Sequence, residues 1–413
     1  MKAAMRDSLT SLDSALASLL AQAQLLAGSE QVSTFDADGR VLLAQAVSPL
    51  QVPPHDNSAM DGYAVRSSDI VAAGTLLPVS QRIAAGQMGT ALAPATAARI
   101  FTGAPLPAGA DAVVMQEDCE AQADGSVRVN AVPKAGQWLR RAGDDIVRGA
   151  VVLEAGTRLT PAELGLAASI GLAQLEVARR PRVALFSTGD ELVMPGSVRP
   201  EDMPPGAIYN SNRCFLRAML RRLGCEVTDL GSVPDQREAT VAALRDAAGT
   251  HDLILTSGGV SVGEEDHIKP AVEQLGQLDL WKIAIKPGKP FAYGRLGPQN
   301  ATHFMGLPGN PVSSFVTFLL LVRPFLLRLQ GVVDVAPRGI AARADFDWPR
   351  GDRRREFLRV RYNESGGLEL FRNQTSNLLT SAAWGDGVVD NPADNAIARG
   401  DTVRLLSFAE LLA

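Results

Sequence analysis

The chain has 413 residues, enough for about three domains, and its 46% hydrophobic and 21% charged residues are an ordinary globular balance that excludes disorder over most of its length. Lys and Arg total 40 against 45 Asp and Glu, a formal net charge of −5, which excludes a generally basic binder of nucleic acid or anionic membrane. Three cysteines without a C-x-x-C pair and four histidines without H-E-x-x-H leave no support for a disulfide framework or a zinc hydrolase, and a cytoplasmic compartment fits best.

Asp7 and Asp13 precede any long apolar run, so the beginning of the chain does not read as a signal peptide. Leu9, Leu12, Leu16, Leu19 and Leu20 recur at helical spacing, with Gly28 where a C′ glycine would stand. From 51 to 146 short apolar runs, 112–115 and 127–132 among them, are separated by Gly, Pro and Asp, which predicts a small β-rich domain. Thr160-Pro161-Ala162-Glu163 carries an N-cap, a proline at N1 and Glu at N3, a capping-box helix start. From Pro181 strand-like runs (182–186, 226–230, 253–256, 281–285, 303–306) alternate with helical ones (212–223, 236–248, 266–275, 311–329). That alternation predicts a doubly wound, mostly parallel sheet covered by helices. The most apolar stretch, 312–329, is interrupted by Ser, Thr, Arg and Pro and reads as a buried helix rather than a bilayer span. After Gly331 the runs 357–362, 368–371 and 402–406 predict a terminal β domain.

Chemistry concentrates where the strands of the α/β region end, since ligands of such sheets bind outside the carboxyl ends of the strands. The segments there are Ser187-Thr188-Gly189-Asp190-Glu191, Thr256-Ser257-Gly258-Gly259-Val260-Ser261, Lys286-Pro287-Gly288-Lys289-Pro290 and Leu307-Pro308-Gly309-Asn310-Pro311. Glycine allows close approach of the backbone, and successive N–H groups cradle oxyanions. Asn310 as N-cap with Pro311 at N1 aims a helix N-terminus at the same rim. Any one of these loops is equally an ordinary βα turn; four on one rim point to phosphate. Lys282, Lys286 and Lys289 fall within eight residues, and Lys282 and Lys286 share a face if they lie on one strand. The cluster reads as an oxyanion site, or as a solvated edge strand guarded by lysine. Asp190, Glu191, Asp235, Glu264, Glu265 and Asp266 bring carboxylates to the rim, a donor set suited to Mg²⁺ beside phosphate. Asp235 and Asp266 equally suit helix caps. The loop 53–64, with Met60, Asp61 and Tyr63, is either an entry turn or a wall of the site.

Taken together, DNSAMDGYAV (56–65), FTGAPLPAGADAVVMQED (101–118), RRAGDDI (140–146), STGDEL (187–192), IYNSN (208–212), TSGGVSVGEEDHIK (256–269), WKIAIKPGKPFAYG (281–294) and GLPGNPVSS (306–314) resemble the molybdopterin molybdenumtransferases, the family of MoeA and the E domain of gephyrin-type proteins. The resemblance implies a multidomain α/β fold. Residues 1–50 with 146–178 would form an elongated, helical N-terminal domain, 51–145 an inserted β-rich domain, 179–330 a molybdopterin-binding doubly wound α/β domain and 331–413 a C-terminal β domain. It also implies a homodimer in which the inserted domain, with Asp61, completes the partner's cleft.

The implied reaction is Mg²⁺-dependent insertion of molybdate into adenylylated molybdopterin with release of AMP, between an upstream molybdopterin adenylyltransferase and downstream molybdoenzymes or their chaperones, with no nucleic-acid or membrane partner. By motif, Asp61, Asp145, Glu191, Asp235 and Asp266 fall at the family's functional acids, Asp235 and Asp266 being the metal candidates, and Lys282 and Lys286 at its functional lysines. Pro308 and Pro311 fall in the pterin loop, with Thr188, Ser257, Gly258, Gly259, Ser261 and Asn310 as further contacts. Lys286, Lys289, Ser313, Arg354 and Ser376 resemble the pocket that receives molybdate; Arg353, Arg354 and Arg355 form a run, so a one-residue shift changes that assignment. Where the family continues after Ser376 towards an Ala-Asn-Gly-like segment, this chain has Trp384-Gly385-Asp386-Gly387. The alternatives are the adenylyltransferase one step earlier, which would need a single α/β domain, and a non-enzymatic scaffold of the gephyrin type.

Overall fold

A computed structural model describes residues 9–260 and 267–412. Ser261 and Asp266, with Glu264 and Glu265, lie outside the described residues.

The α/β region is a six-stranded sheet. Its strands are β1 (Arg182–Thr188), β2 (Glu226–Val233), β3 (Leu253–Ser257), β4 (Gly276–Lys282), β6 (Pro290–Leu296) and β7 (Thr302–Leu307), where β5 (Ile285–Lys286) belongs elsewhere. The order is β2-β1-β3-β7-β6-β4. The first three pairings are parallel, and β6 runs antiparallel to both neighbours. Every residue of β3 and β7 is buried, as expected of parallel strands covered on both faces, whereas the edge strand β2 is mostly exposed and polar. Alternation along β1 assigns the two layers. Val183 and Leu185 join the core formed with α3 (Ser211–Arg222) and the 311–329 helix, while Ala184 and Phe186 join the one formed with α4 (Arg237–Ala248) and α5 (Ile268–Leu275).

The apolar 311–329 segment is one buried helix, with α6 (Pro311–Thr317) and α7 (Arg323–Leu329) joined by a π-helical turn at Phe318–Val322. It is long and apolar enough to cross a bilayer, but 94% of it is packed inside the protein, which is how a helix hydrophobic all round behaves in a core.

α1 (Leu12–Gln22) ends at Ala23, not near Gly28. Gly28 sits at φ +100°, five residues beyond Ala23 and directly before the strand Ser29–Ser33, so its positive φ does not serve a helix cap. Leu12, Ala15 and Leu19 bury against the 311–329 helix, so α1 packs on the α/β layer. Ser29–Ser33 pairs antiparallel with Gln174–Ala178. Residues 37–46 and 146–177, with α2 (Pro161–Ser169), share another core. At the start of α2 the Thr160 N–H donates to Glu163 Oε2 at 2.9 Å, the expected box. The intervening region forms a second six-stranded sheet, including Gly62–Val65 and Ala112–Met115.

The C-terminal sheet contains β8 (Ile340–Arg343), β9 (Arg355–Tyr362), β10 (Leu368–Leu370), β11 (Gly387–Asn391) and β12 (Thr402–Ser407), in the order β5-β9-β11-β12-β8 with β10 on β9. The strand expected over 281–285 is thus two strands in two sheets. Lys282 ends β4 of the α/β sheet, and Lys286 stands in β5, paired with Glu356 of β9. Between them Thr10 intrudes, its N–H donating to Lys282 O at 2.8 Å and its carbonyl accepting from Ala284 N at 2.7 Å. The two lysines therefore do not share one strand face.

Candidate functional site

The parallel strands β1, β2, β3 and β7 direct their carboxyl ends to one rim, where a cleft of about 710 Å³ opens. Thr188, Glu191, Asp235, Ser257, Gly258, Gly259, Pro308, Asn310 and Pro311 all line it. Gly258 (φ +92°) and Gly259 (φ +66°) are required for close packing: a Cβ on Gly258 would stand 2.9 Å from Thr188 O, and one on Gly259 2.5 Å from Ile268 Cγ1. Gly189 (φ +141°) lets the Glu191 carboxylate fold back over the loop, since a Cβ there would meet Glu191 Oε2 at 2.6 Å. Asp190 Oδ1 accepts the Asp235 N–H at 3.2 Å, tying the turns after β1 and β2 together. Asp235 does not cap α4, whose N-cap is Gln236. Asn310 and Pro311 take the expected N-cap and N1 positions of α6, but the Asn310 side chain makes no capping bond and stays exposed at the cleft.

Residues that sequence reasoning left without a role complete the cleft: Tyr209, Asn210, Asn212, Pro290 and Asn377. Asn212 Nδ2 donates to Ser257 Oγ at 2.8 Å and to Gly309 O at 2.7 Å, strapping the loop after β3 to the loop after β7. Its signal was present in the IYNSN motif, yet the reach across two loops is visible only in three dimensions.

The basic residues singled out above lie outside the lining of this cleft. Lys286 Nζ lies 3.2 Å from Glu356 Oε1 and 3.3 Å from Asp352 Oδ2. Arg354 forks onto the same Asp352, Nε to Oδ1 at 2.9 Å and Nη2 to Oδ2 at 3.0 Å, which holds that carboxyl well below the usual range. Arg355 instead grips Asp390 and Asp13, and Arg353 is exposed, so within the arginine run it is Arg354 that joins Lys286. Lys289 is exposed on the loop leading to Pro290. Ser313 is buried one turn into α6, and Ser376 O accepts the Val312 N–H at 2.9 Å, bringing the C-terminal segment onto that helix.

Asp61, directly before the strand Gly62–Val65, and Asp145 are not in the lining of this cleft. Their segments meet, because Asn57–Ser58 pairs with Leu139–Arg140 and Asp56 accepts from Arg141 Nη1 at 2.6 Å. Asp61 Oδ1 accepts the Thr102 N–H at 2.7 Å and the Thr102 hydroxyl at 2.8 Å, which keeps its carboxyl ionised below the ordinary range. Asp145 is exposed. Among the described residues no three His, Cys, Asp or Glu side chains converge as a metal cage. Glu191 and Asp235 still supply two hard oxygen donors in one cleft, and Mg²⁺ takes no more than one or two carboxylates when substrate phosphates provide the rest. The described donors therefore fit Mg²⁺.

Three family models match in order along the chain: the MoeA N-terminal region (domains I and II) over 10–171, a probable molybdopterin binding domain over 184–328, and the MoeA C-terminal region (domain IV) over 341–408. The molybdopterin molybdenumtransferase of Haemophilus influenzae is 40% identical over 97% of this chain and 99% of its own length. This chain belongs to the MoeA family. Molybdopterin molybdenumtransferase 2 of Mycobacterium tuberculosis is 39% identical, covering 88% of this chain and 91% of that one. The crystal structure of the molybdopterin biosynthesis MoeA protein from Pyrococcus horikoshii OT3 superposes with a TM-score of 0.83 at 28% identity, over 97% of this chain and 100% of that one. The α/β cleft described above is thus lined by the segment matched as a molybdopterin binding domain, except for Asn377 of the MoeA C-terminal region, and the Lys286–Asp352–Arg354 cluster also joins the two segments.

Proposed function

We propose that this MoeA-family chain is a molybdopterin molybdenumtransferase of molybdenum cofactor biosynthesis, inserting molybdate into adenylylated molybdopterin with release of AMP. The observation that carries this is the full-length likeness to the Haemophilus enzyme of that name, combined with one cleft that gathers the strand-end loops. Matches on both sides of the α/β domain disfavour an adenylyltransferase, which would need that domain alone.

The residues divide the work by chemistry. Backbone N–H groups around Gly259 and Gly309 suit phosphate oxygens, while the Gly258 N–H is taken by Leu307 O at 3.1 Å. Glu191 and Asp235 would hold Mg²⁺, with Asp266 as the third candidate; the ion would supply charge neutralisation at the phosphates being separated. Lys286 and Arg354, held by Asp352, with Lys289, Ser313 and Ser376, would receive the tetrahedral molybdate dianion. Lys282 lies one strand earlier and would act on the phosphate side. Asp61 and Asp145 would serve the cleft of a second copy in a cytoplasmic homodimer, between an upstream adenylyltransferase and the downstream acceptors of the cofactor.

The test is incubation with adenylylated molybdopterin, Mg²⁺ and graded molybdate while AMP is measured. Molybdate-dependent AMP release is expected from the wild type and is lost in Asp235→Ala at an unchanged circular dichroism spectrum. Absence of molybdate-dependent AMP from the wild type overturns the reading.

A further inference from the structure

Arg359 stands on β9 and is 1% exposed. Among the described residues no carboxylate pairs with its guanidinium. Its bonds go to neutral oxygens: Nε to Ser381 Oγ at 3.2 Å, Nη1 to Phe357 O at 3.1 Å and Nη2 to Thr375 O at 3.2 Å. A cation taken out of water without a counter-charge is costly. Burial pushes its pKa down to about 10, which still leaves it charged at neutral pH. An expensive group of this kind is retained where local consistency is given up for function.

What the guanidinium holds is specific. Thr375 precedes Ser376, whose carbonyl takes the Val312 N–H at 2.9 Å in the first turn of α6, and Asn377 lines the cleft. The backbone of Arg359 grips the same segment, its N–H donating to Gln374 Oε1 at 2.9 Å and its carbonyl accepting from Gln374 Nε2 at 3.0 Å. Ser381 lies in α8 (Thr380–Trp384), at the far end of the segment. One strand residue therefore fastens both ends of the stretch 374–381.

We propose that Arg359 is a positioning residue for the cleft, fixing the backbone of 375–377 against α6 and so setting where Ser376 and Asn377 meet substrate. This rests on the assignment of Ser376 to the molybdate end. Arg359→Met keeps the volume and removes the donors. It is expected to raise KM for molybdate about tenfold or more with kcat changed less than about threefold, because a misplaced contact residue alters binding geometry. Arg359→Lys restores part of that loss. Hydrogen exchange at the Val312 amide reads the segment directly and accelerates in Arg359→Met. Should that variant fail to fold, Ser381→Ala, which deletes one acceptor and leaves the cation, carries the same two readouts with smaller changes in the same direction. Unchanged molybdate KM and unchanged Val312 exchange in a folded variant overturn the proposal. A wild type without molybdate-dependent AMP release overturns the enzymatic reading instead, while accelerated Val312 exchange still establishes the tether.

Discussion

Lys286, proposed as a molybdate contact, is at the same time part of a salt-bridge network. Its ammonium is shared between Asp352 and the buried Glu356, whose other bonds come from the neutral donors Trp348 Nε1 at 2.8 Å, Asp352 N at 3.1 Å and Asn391 Nδ2 at 3.4 Å. Lys286, Arg354, Asp352 and Glu356 together sum to zero charge, so the cluster is not a bare cationic patch. Lys286→Ala is expected to raise the molybdate concentration needed for AMP release and also to lower stability, by about 1–3 kcal/mol, since the buried Glu356 then loses its ion pair. Thermal unfolding beside a molybdate titration checks this. A fall in the midpoint with an unchanged molybdate dependence would leave the lysine a purely structural part. The arginine run is a related case: three adjacent cations are indistinguishable by type, and the placement of Asp352 and Asp390 decides that Arg354 faces Lys286 while Arg355 faces away.

At the scale of elements, alternation of strands and helices was legible because buried parallel strands read as short apolar runs bounded by Gly and Pro. The break between β4 and β5 was not. Both are extended, both carry a lysine, and what separates them is a bridge from Thr10 to Ile283, more than 270 residues away in the chain. The glycine loops make a sharper claim. Gly259→Ala meets both a positive φ and two close neighbours, Ile268 Cγ1 at 2.5 Å and Thr188 Oγ1 at 2.9 Å. It should cost about 1–3 kcal/mol and impair activity by moving the loop. Gly206→Ala has the same kind of φ, +84°, with nothing within 4 Å, so it should lower the thermal midpoint with little change in activity. Equal activity loss in both variants would show that the contact with Thr188 and Ile268 is not what shapes the cleft.

Across the whole molecule, distant parts of the chain are fastened together. Arg355 reaches Asp13 at 3.0 Å and Ser376 O accepts the Val312 N–H. Asp61 and Asp145, by contrast, remain outside the lining of their own chain's cleft. If Asp61 serves the cleft of a second copy, two inactive variants must rescue one another. Asp61→Ala and Asp235→Ala, dissociated together and reassembled in equal amounts, should regain about a quarter of wild-type activity, because half the dimers are mixed and one of their two sites is intact. No recovery would confine each site to a single chain.

The sequence by itself determined the family, the α/β architecture and the loops that meet at the cleft, because glycine, proline and apolar periodicity act over a few residues and leave a local record. Tertiary structure alone decided which charges neutralise one another, that Asn212 straps two loops, that α1 packs on the α/β layer and that the buried Arg359 holds the 374–381 segment. Those outcomes depend on which side chains lie within about 3 Å after folding, and separation along the chain carries no trace of that distance.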